Sequence, residues 1–131
     1  MEELVEIIDV GKEKNTKIVS LKGRMDAVSA PDFEEKMGDW ADQGETNFII
    51  NLGEVDYMSS AGLRSILIVA KNLKQQDGKL IFVNLREEVS KIFRISGFSS
   101  MIPTYESVET ALEHIWVNAF FITAKIAGQN Q

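Results

Sequence analysis

The sequence predicts an α/β domain built on a largely parallel sheet. Three observations carry this. Short apolar runs alternate with longer stretches in which apolar residues recur every three or four positions. Two of the short runs, "TNFIINL" and "KLIFVNL", are apolar at successive positions, as strands covered on both faces require. The 131 residues suffice for one real core and are few for two.

Each element has its own signal. Leu4 to Val10 alternates loosely and stops at Gly11, Lys12 to Asn15 is polar, and "TKIVSLKG" alternates again, which predicts strand, turn and strand. In "SAPDFEEKMGDWADQG", Ser29 is placed to cap a helix, Pro31 suits its first turn, and Asp32 follows three residues after the cap. Phe33, Met37 and Trp40 share one face of that helix, and Gly44 ends it. The strand "TNFIINL" follows. Then "VDYMSSAGLRSILIVAKNLK" supplies a loop and a helix whose inward stripe is Leu63, Ile66, Leu67, Ala70 and Leu73, broadened by Ile68 and Val69. "QDGK" closes it and "KLIFVNL" is the next strand. "REEVSKIFRISGF" reads as a short helix with Val89, Ile92, Phe93 and, at the margin, Ile95 facing in, and with Gly97 near its C-cap. Pro103 and Thr104 lead to a brief extended piece. Ser107 caps a last helix with Val108, Ala111, Leu112, Ile115, Trp116 and Ala119 inward. Alternation after the first hairpin implies right-handed crossovers, which by themselves allow helices on both faces.

Composition narrows the function. Apolar residues make up 44% and charged residues 26%, the balance of a soluble globular domain. The formal net charge of −6 comes without a Lys/Arg cluster, which argues against nucleic acid as the direct partner. There is no cysteine, hence no disulfide or thiolate metal site. "MEELVEIIDV" lacks the features of a signal peptide, and "IWVNAFFITAKIA" is too short and interrupted to span a bilayer. A cytoplasmic protein is the expectation.

Catalytic equipment is sparse. The single histidine, His114, reads as a surface or packing residue of the last helix. No GxGxxG follows a strand, and neither GxxxxGK[ST] nor GxSxG occurs. Asp26 and Asp56 are expected in loops after strands, where two carboxylates could hold a metal. Turn stabilisation is the simpler account of both. The expectation is a protein that is not an enzyme, with no cofactor and no metal.

The informative stretch is Ser59-Ser60-Ala61-Gly62. One serine suffices to cap a helix, at about 1 kcal/mol. A second hydroxyl beside two small residues, at the electropositive start of a helix, describes a place that can accept and hold a phosphoryl group. Glycine in a first turn costs helix propensity, so Gly62 implies a close approach by another backbone or by a phosphate.

The segments "LKGRMDAVSAPDFE", "FIINLGEVDYMSSAGLRSIL" and "KLIFVNLREEVSKIFRISGF", in this order, resemble STAS domains, and more narrowly the bacterial anti-sigma factor antagonists. The landmarks are "GRMDAVSAP", "SSAGL" and "ISGF". The resemblance implies a single STAS domain over 1–113, with a four- to five-stranded mixed sheet and about four helices packed mainly on one face. Residues 114–131 would form an extension of the last helix and a polar tail.

The resemblance also implies a job. The unphosphorylated protein binds an anti-sigma factor with serine kinase activity and so releases a sigma factor. Phosphorylation switches binding off, and a serine phosphatase restores it. The family pattern Asp-Ser-Ser/Thr-Gly-Leu, aligned on Gly62 and Leu63, puts the acceptor at Ser60, with Ser59 in place of the usual aspartate and Ala61 in place of the following hydroxyl residue. Ser59 is the secondary candidate. Arg24, Met25, Asp26, Met58, Ser59, Ser60, Gly62 and Arg64 are the expected partner contacts. An alternative is a non-phosphorylated STAS subunit of another signalling or lipid-transport complex that docks through its long last helix. Phe120 and Phe121 of that helix cannot both face the sheet, which leaves aromatic surface for a neighbour, including a second copy in a homodimer. Membrane contact is disfavoured because Lys125 is the only basic residue there.

Overall fold

The computed structural model describes residues 6–13 and 15–115. The elements are β1 (Glu6–Glu13), β2 (Thr16–Met25), α1 (Ala30–Asp42), β3 (Asn47–Met58), α2 (Ser60–Gln75), β4 (Lys79–Val83), α3 (Glu87–Ser96), a 3₁₀ turn (Phe98–Ser100) and β5 (Thr104–Tyr105). A fourth helix, α4, begins after Ser107 and is described over 108–115. The strands form one mixed sheet in the order β1-β2-β3-β4-β5, with β1 antiparallel to β2 and the other pairs parallel.

The middle strands divide their side chains between two cores. Phe48, Ile50 and Leu52 of β3, with Leu80 and Phe82 of β4, join the core under α1, α2 and α3. Ile49, Ile81 and Val83 point the other way and are covered by Ala111 and Leu112 of α4. Three helices thus share one face and α4 takes the other. The continuous apolar runs are explained by this double cover.

Three strands run further than the sequence pattern suggests. β1 continues through Gly11 to Glu13, which pairs with Thr16, and Asn15 takes φ 59° in the hairpin. β2 continues through Arg24 and Met25, so these two residues are strand rather than loop. β3 reaches Met58 and carries Asp56 within it. The apolar pattern does not reveal these ends, because glycine and polar residues (Gly11, Gly23 and Arg24, Gly53, Glu54 and Asp56) interrupt it within the strands.

β3 also carries two one-residue bulges against β2. The register steps from Ser20↔Asn51 to Lys22↔Glu54, and from Gly23↔Val55 to Arg24↔Tyr57. Each insertion flips the side-chain parity. Val55 and Met58 therefore return to the core that Leu52 occupies, although the spacing is three residues each time. The first bulge is fastened from outside: Asn51 Oδ1 accepts Gly53 N–H (2.9 Å) and Asn84 Nδ2–H (3.2 Å), and Arg86 Nε donates to Gly53 O (2.9 Å).

Some helix details differ from expectation. Ser29 does not cap α1 with its side chain; its hydroxyl turns back toward the β2 end. The inward stripe of α2 is centred on Gly62, Ser65, Ile66, Val69 and Leu73, with Ile68 substantially exposed. Ser65 is buried and donates to Ala30 O, which ties α2 to α1. In α3, Val89 and Phe93 are buried but Ile95 is 75% exposed, because the chain turns out at Gly97 (φ 83°) and Phe98 takes the inward place. Ser107 does cap α4, accepting Thr110 N–H at 3.1 Å. His114 is exposed, with its ring 4.6 Å from that of Tyr105 and tilted 56° to it. Trp116, Ala119, Phe120, Phe121 and the rest of the expected extension lie outside the described residues.

Candidate functional site

The site is built where β2, β3 and α2 meet. Met25 and Met58 are register partners at the ends of neighbouring parallel strands. One residue on, Ser59 N–H donates to Met25 O at 2.9 Å, which pins the chain as it leaves β3. Ser59 is extended (φ −92°, ψ 172°), as an N-cap requires, and its hydroxyl oxygen accepts Gly62 N–H at 3.2 Å. Ser59 thus has a structural task. Ser60 is the first residue of α2 and is exposed.

Gly62 explains the proximity. It is buried, and a β-carbon there would stand 2.6 Å from Met25 O, 2.7 Å from Met25 Cγ and 3.0 Å from Met58 Sδ. The close backbone approach read from the sequence is therefore made by the chain's own β2, on the inner side of the helix start. The outer side belongs to Ser60.

The neighbouring loop is held by Asp26. Its Oδ1 accepts Val28 N–H (3.0 Å) and Ser29 N–H (3.2 Å), while the buried Ser29 hydroxyl accepts Asp26 N–H (2.9 Å) and donates to Arg24 O (2.7 Å). The backbone N–H of Ser29, with help from Val28 and the Ser29 hydroxyl and with Arg24 nearby, holds the Asp26 carboxyl below its ordinary value; partial desolvation opposes this without reversing it. Asp26 is thus a turn residue, the simpler of its two sequence readings.

Arg24 lies across the outer face. Its guanidinium carbon is 4.2 Å from the centre of the Tyr57 ring, and its Nε is 3.6 Å from Asp26 Oδ2. Tyr57, 41% exposed, and Val28, 58% exposed, add an apolar component to this surface. Sequence reading missed both. Alternation turns Tyr57 out beside the inward Met58, but only once β3 is known to run through "VDYM" to Met58. Arg64 is exposed one helical turn after Ser60 and makes no ion pair among the described residues.

Of the expected contact residues, Arg24, Ser60 and Arg64 are exposed and Asp26 and Ser59 are half-buried. Met25, Met58 and Gly62, also expected as contacts, are buried in the chain and hold the loop from inside. Their burial follows from the strand extension to Met25 and from the second bulge. Among the described residues, no three carboxylates or imidazoles gather as a metal would need.

These features place an exposed helix-start serine beside an outward arginine and tyrosine on an α/β scaffold. The chain belongs to the STAS domain family, whose model matches residues 8–111. Among relatives, it is 40% identical over 94 residues to BtrV of Bordetella bronchiseptica, described as a candidate anti-sigma factor antagonist, covering 72% of this chain and 81% of that one. It is 36% identical over 95 residues to the anti-sigma-B factor antagonist of Bacillus subtilis, covering 72% of this chain and 86% of that one. Among solved structures, an anti-sigma factor antagonist from Mycobacterium paratuberculosis superposes with a TM-score of 0.74 at 22% identity, over 84% of this chain and 92% of that one. The phosphorylated form of the Bacillus cell fate determinant SpoIIAA superposes with a TM-score of 0.64 at 22% identity, over 82% and 97%. The two structural likenesses establish the fold. No helix among the described residues is long and apolar enough to cross a membrane.

Proposed function

We propose that this protein is an anti-sigma factor antagonist whose binding is switched by phosphorylation of Ser60. In its unmodified form it binds an anti-sigma factor that is also a serine kinase, and this frees a sigma factor in the cytoplasm. A serine phosphatase resets the cycle. The protein itself performs no catalysis. Relatives at 40% and 36% identity carry the antagonist name, which supports the partner class.

The observation that carries the reading is the division of labour between the two serines. Ser59 spends its hydroxyl on the cap of α2, while Ser60 stands exposed at the first helical position. A phosphate on Ser60 adds about −1.5 to −2 charges beside the positive end of the helix dipole. That environment tolerates the modification, so the fold stays as it is and the offered surface changes. Arg64, one turn on, is a second source of positive charge. The contact surface then comprises Arg24, Asp26, Val28, Tyr57, Ser59, Ser60 and Arg64. Moving a partner from almost fully bound to almost fully free requires about 5.5 kcal/mol of differential affinity. A bulky dianion buried against a surface shaped for a hydroxyl is an effect of that size.

The test is to incubate the protein with ATP and the anti-sigma factor kinase of its source and to map phosphate by mass spectrometry. Incorporation at Ser60, abolished in Ser60→Ala, is expected. Phosphate found only at Ser59 or nowhere would overturn the assignment.

A further inference from the structure

An apolar groove of about 530 Å³ opens at the far end of α2, between that helix, the start of β4 and the segment leading into β5. It exists because the sheet is short there. β5 pairs only with Phe82 and Val83, so the edge of β4 over Lys79–Ile81 has no strand beside it among the described residues. Leu67, Ala70, Ile81, Ile102 and Pro103 line the hollow, and Met101, 59% exposed, stands at its margin. The Tyr105 and His114 rings, 4.6 Å apart, form part of the wall.

The charge around it is one-sided. Lys71, Lys74 and Lys79 line the groove, all three exposed, and no carboxylate is among the described lining residues. None of these lysines makes an ion pair or hydrogen bond among the described residues. On a chain of formal net charge −6, three unpaired ammonium groups around an apolar hollow run against the prevailing field.

We propose that this groove binds a single-chain amphiphilic anion, a carboxylate of the fatty-acid class. Its acyl chain would lie on the aliphatic floor, with its head among the lysine ammonium groups, where the hydrogen bonds are charge-assisted. The volume is that of a small-ligand site, and apolar walls with a few convergent polar groups are the usual composition of one. The groove is separate from the Ser60 surface: at about 1.5 Å rise per residue, Leu67 to Lys74 lie roughly 10–20 Å along α2 from it.

The test uses the full chain, with Ile and Leu methyl groups labelled for NMR. It is titrated with dodecanoate below its micelle concentration and, in parallel, with dodecyltrimethylammonium. Saturable shifts at Leu67, Leu80, Ile81 and Ile102 are expected with dodecanoate. Binding should be at least tenfold weaker for the cation, and at least tenfold weaker for dodecanoate in Lys71→Gln/Lys74→Gln, whose unfolding transition should match the parent. Absence of saturable shifts overturns the proposal, as does equal response to both amphiphiles. Contacts from the Leu67 and Ile81 methyls to the rings of Trp116, Phe120 or Phe121 that dodecanoate does not displace would assign the groove to the chain's own C-terminal segment, and would overturn it too.

Discussion

A β-carbon at position 62 would meet Met25 O at 2.6 Å, and Met25 is itself fully buried. Gly62→Ala is therefore expected to destabilise the fold by about 1–3 kcal/mol, the range for overpacking a closed site. The adjacent change Ala61→Gly is expected to cost only the propensity difference of about 1 kcal/mol at most. Chemical denaturation of the two variants checks the contrast, and equal losses would remove the close-approach argument. Asp26 makes a different prediction, one of pH. Its carboxyl is held below its ordinary value of 3.8 chiefly by the Ser29 N–H. The folded state thus prefers the ionised form. The stabilisation is fully present above the unfolded value and is lost as pH falls through the lower folded value. Between pH 5 and 2, Asp26→Asn is expected to show a shallower loss of stability than the parent, and parallel curves would contradict the assigned hydrogen bonds.

At the scale of elements, α3 separates packing from pattern. Phe93 is buried edge-on to both Phe82 (5.6 Å) and Phe98 (6.0 Å), whereas Ile95 faces solvent. Phe93→Ala is expected to cost about 3–5 kcal/mol and Ile95→Ser less than about 0.5 kcal/mol, measured by denaturant unfolding. Similar costs would mean that Ile95 is covered after all. The periodicity of "REEVSKIFRISGF" found this helix but not the fate of its last turn, since a local pattern does not encode where Gly97 redirects the chain. The same limit governs β3. Phe48, Ile50 and Leu52 announce a strand by alternation, but Val55 and Met58 keep the core face only through two bulges set against β2. Those insertions depend on a partner strand some thirty residues away in sequence, so a reading of neighbours places "GEVDYM" in a loop. Ser60 and its cap were legible because helix starts are local chemistry. Tyr57 and Val28 were not, because their exposure is decided by strand register and by the Asp26 turn.

Across the whole molecule, the sheet separates two regions. α1, α2 and α3 fill one face, and the tips of β2 and β3 lift the Ser60 surface to the edge of that layer. α4 closes the other face through Ala111 and Leu112. The Ser60 surface is thus fixed to the core under α1, α2 and α3. Met25, Met58 and Gly62 lock its inner side, and only the outer side is free to change charge. Under the proposed function, such an arrangement lets a phosphate on Ser60 alter binding without refolding. The most direct measurement is calorimetric titration of the cognate anti-sigma factor with the unmodified protein and with the same protein phosphorylated at Ser60. The account predicts at least a hundredfold loss of affinity on phosphorylation, with unchanged backbone amide shifts away from the start of α2. Equal affinities for the two forms would contradict it.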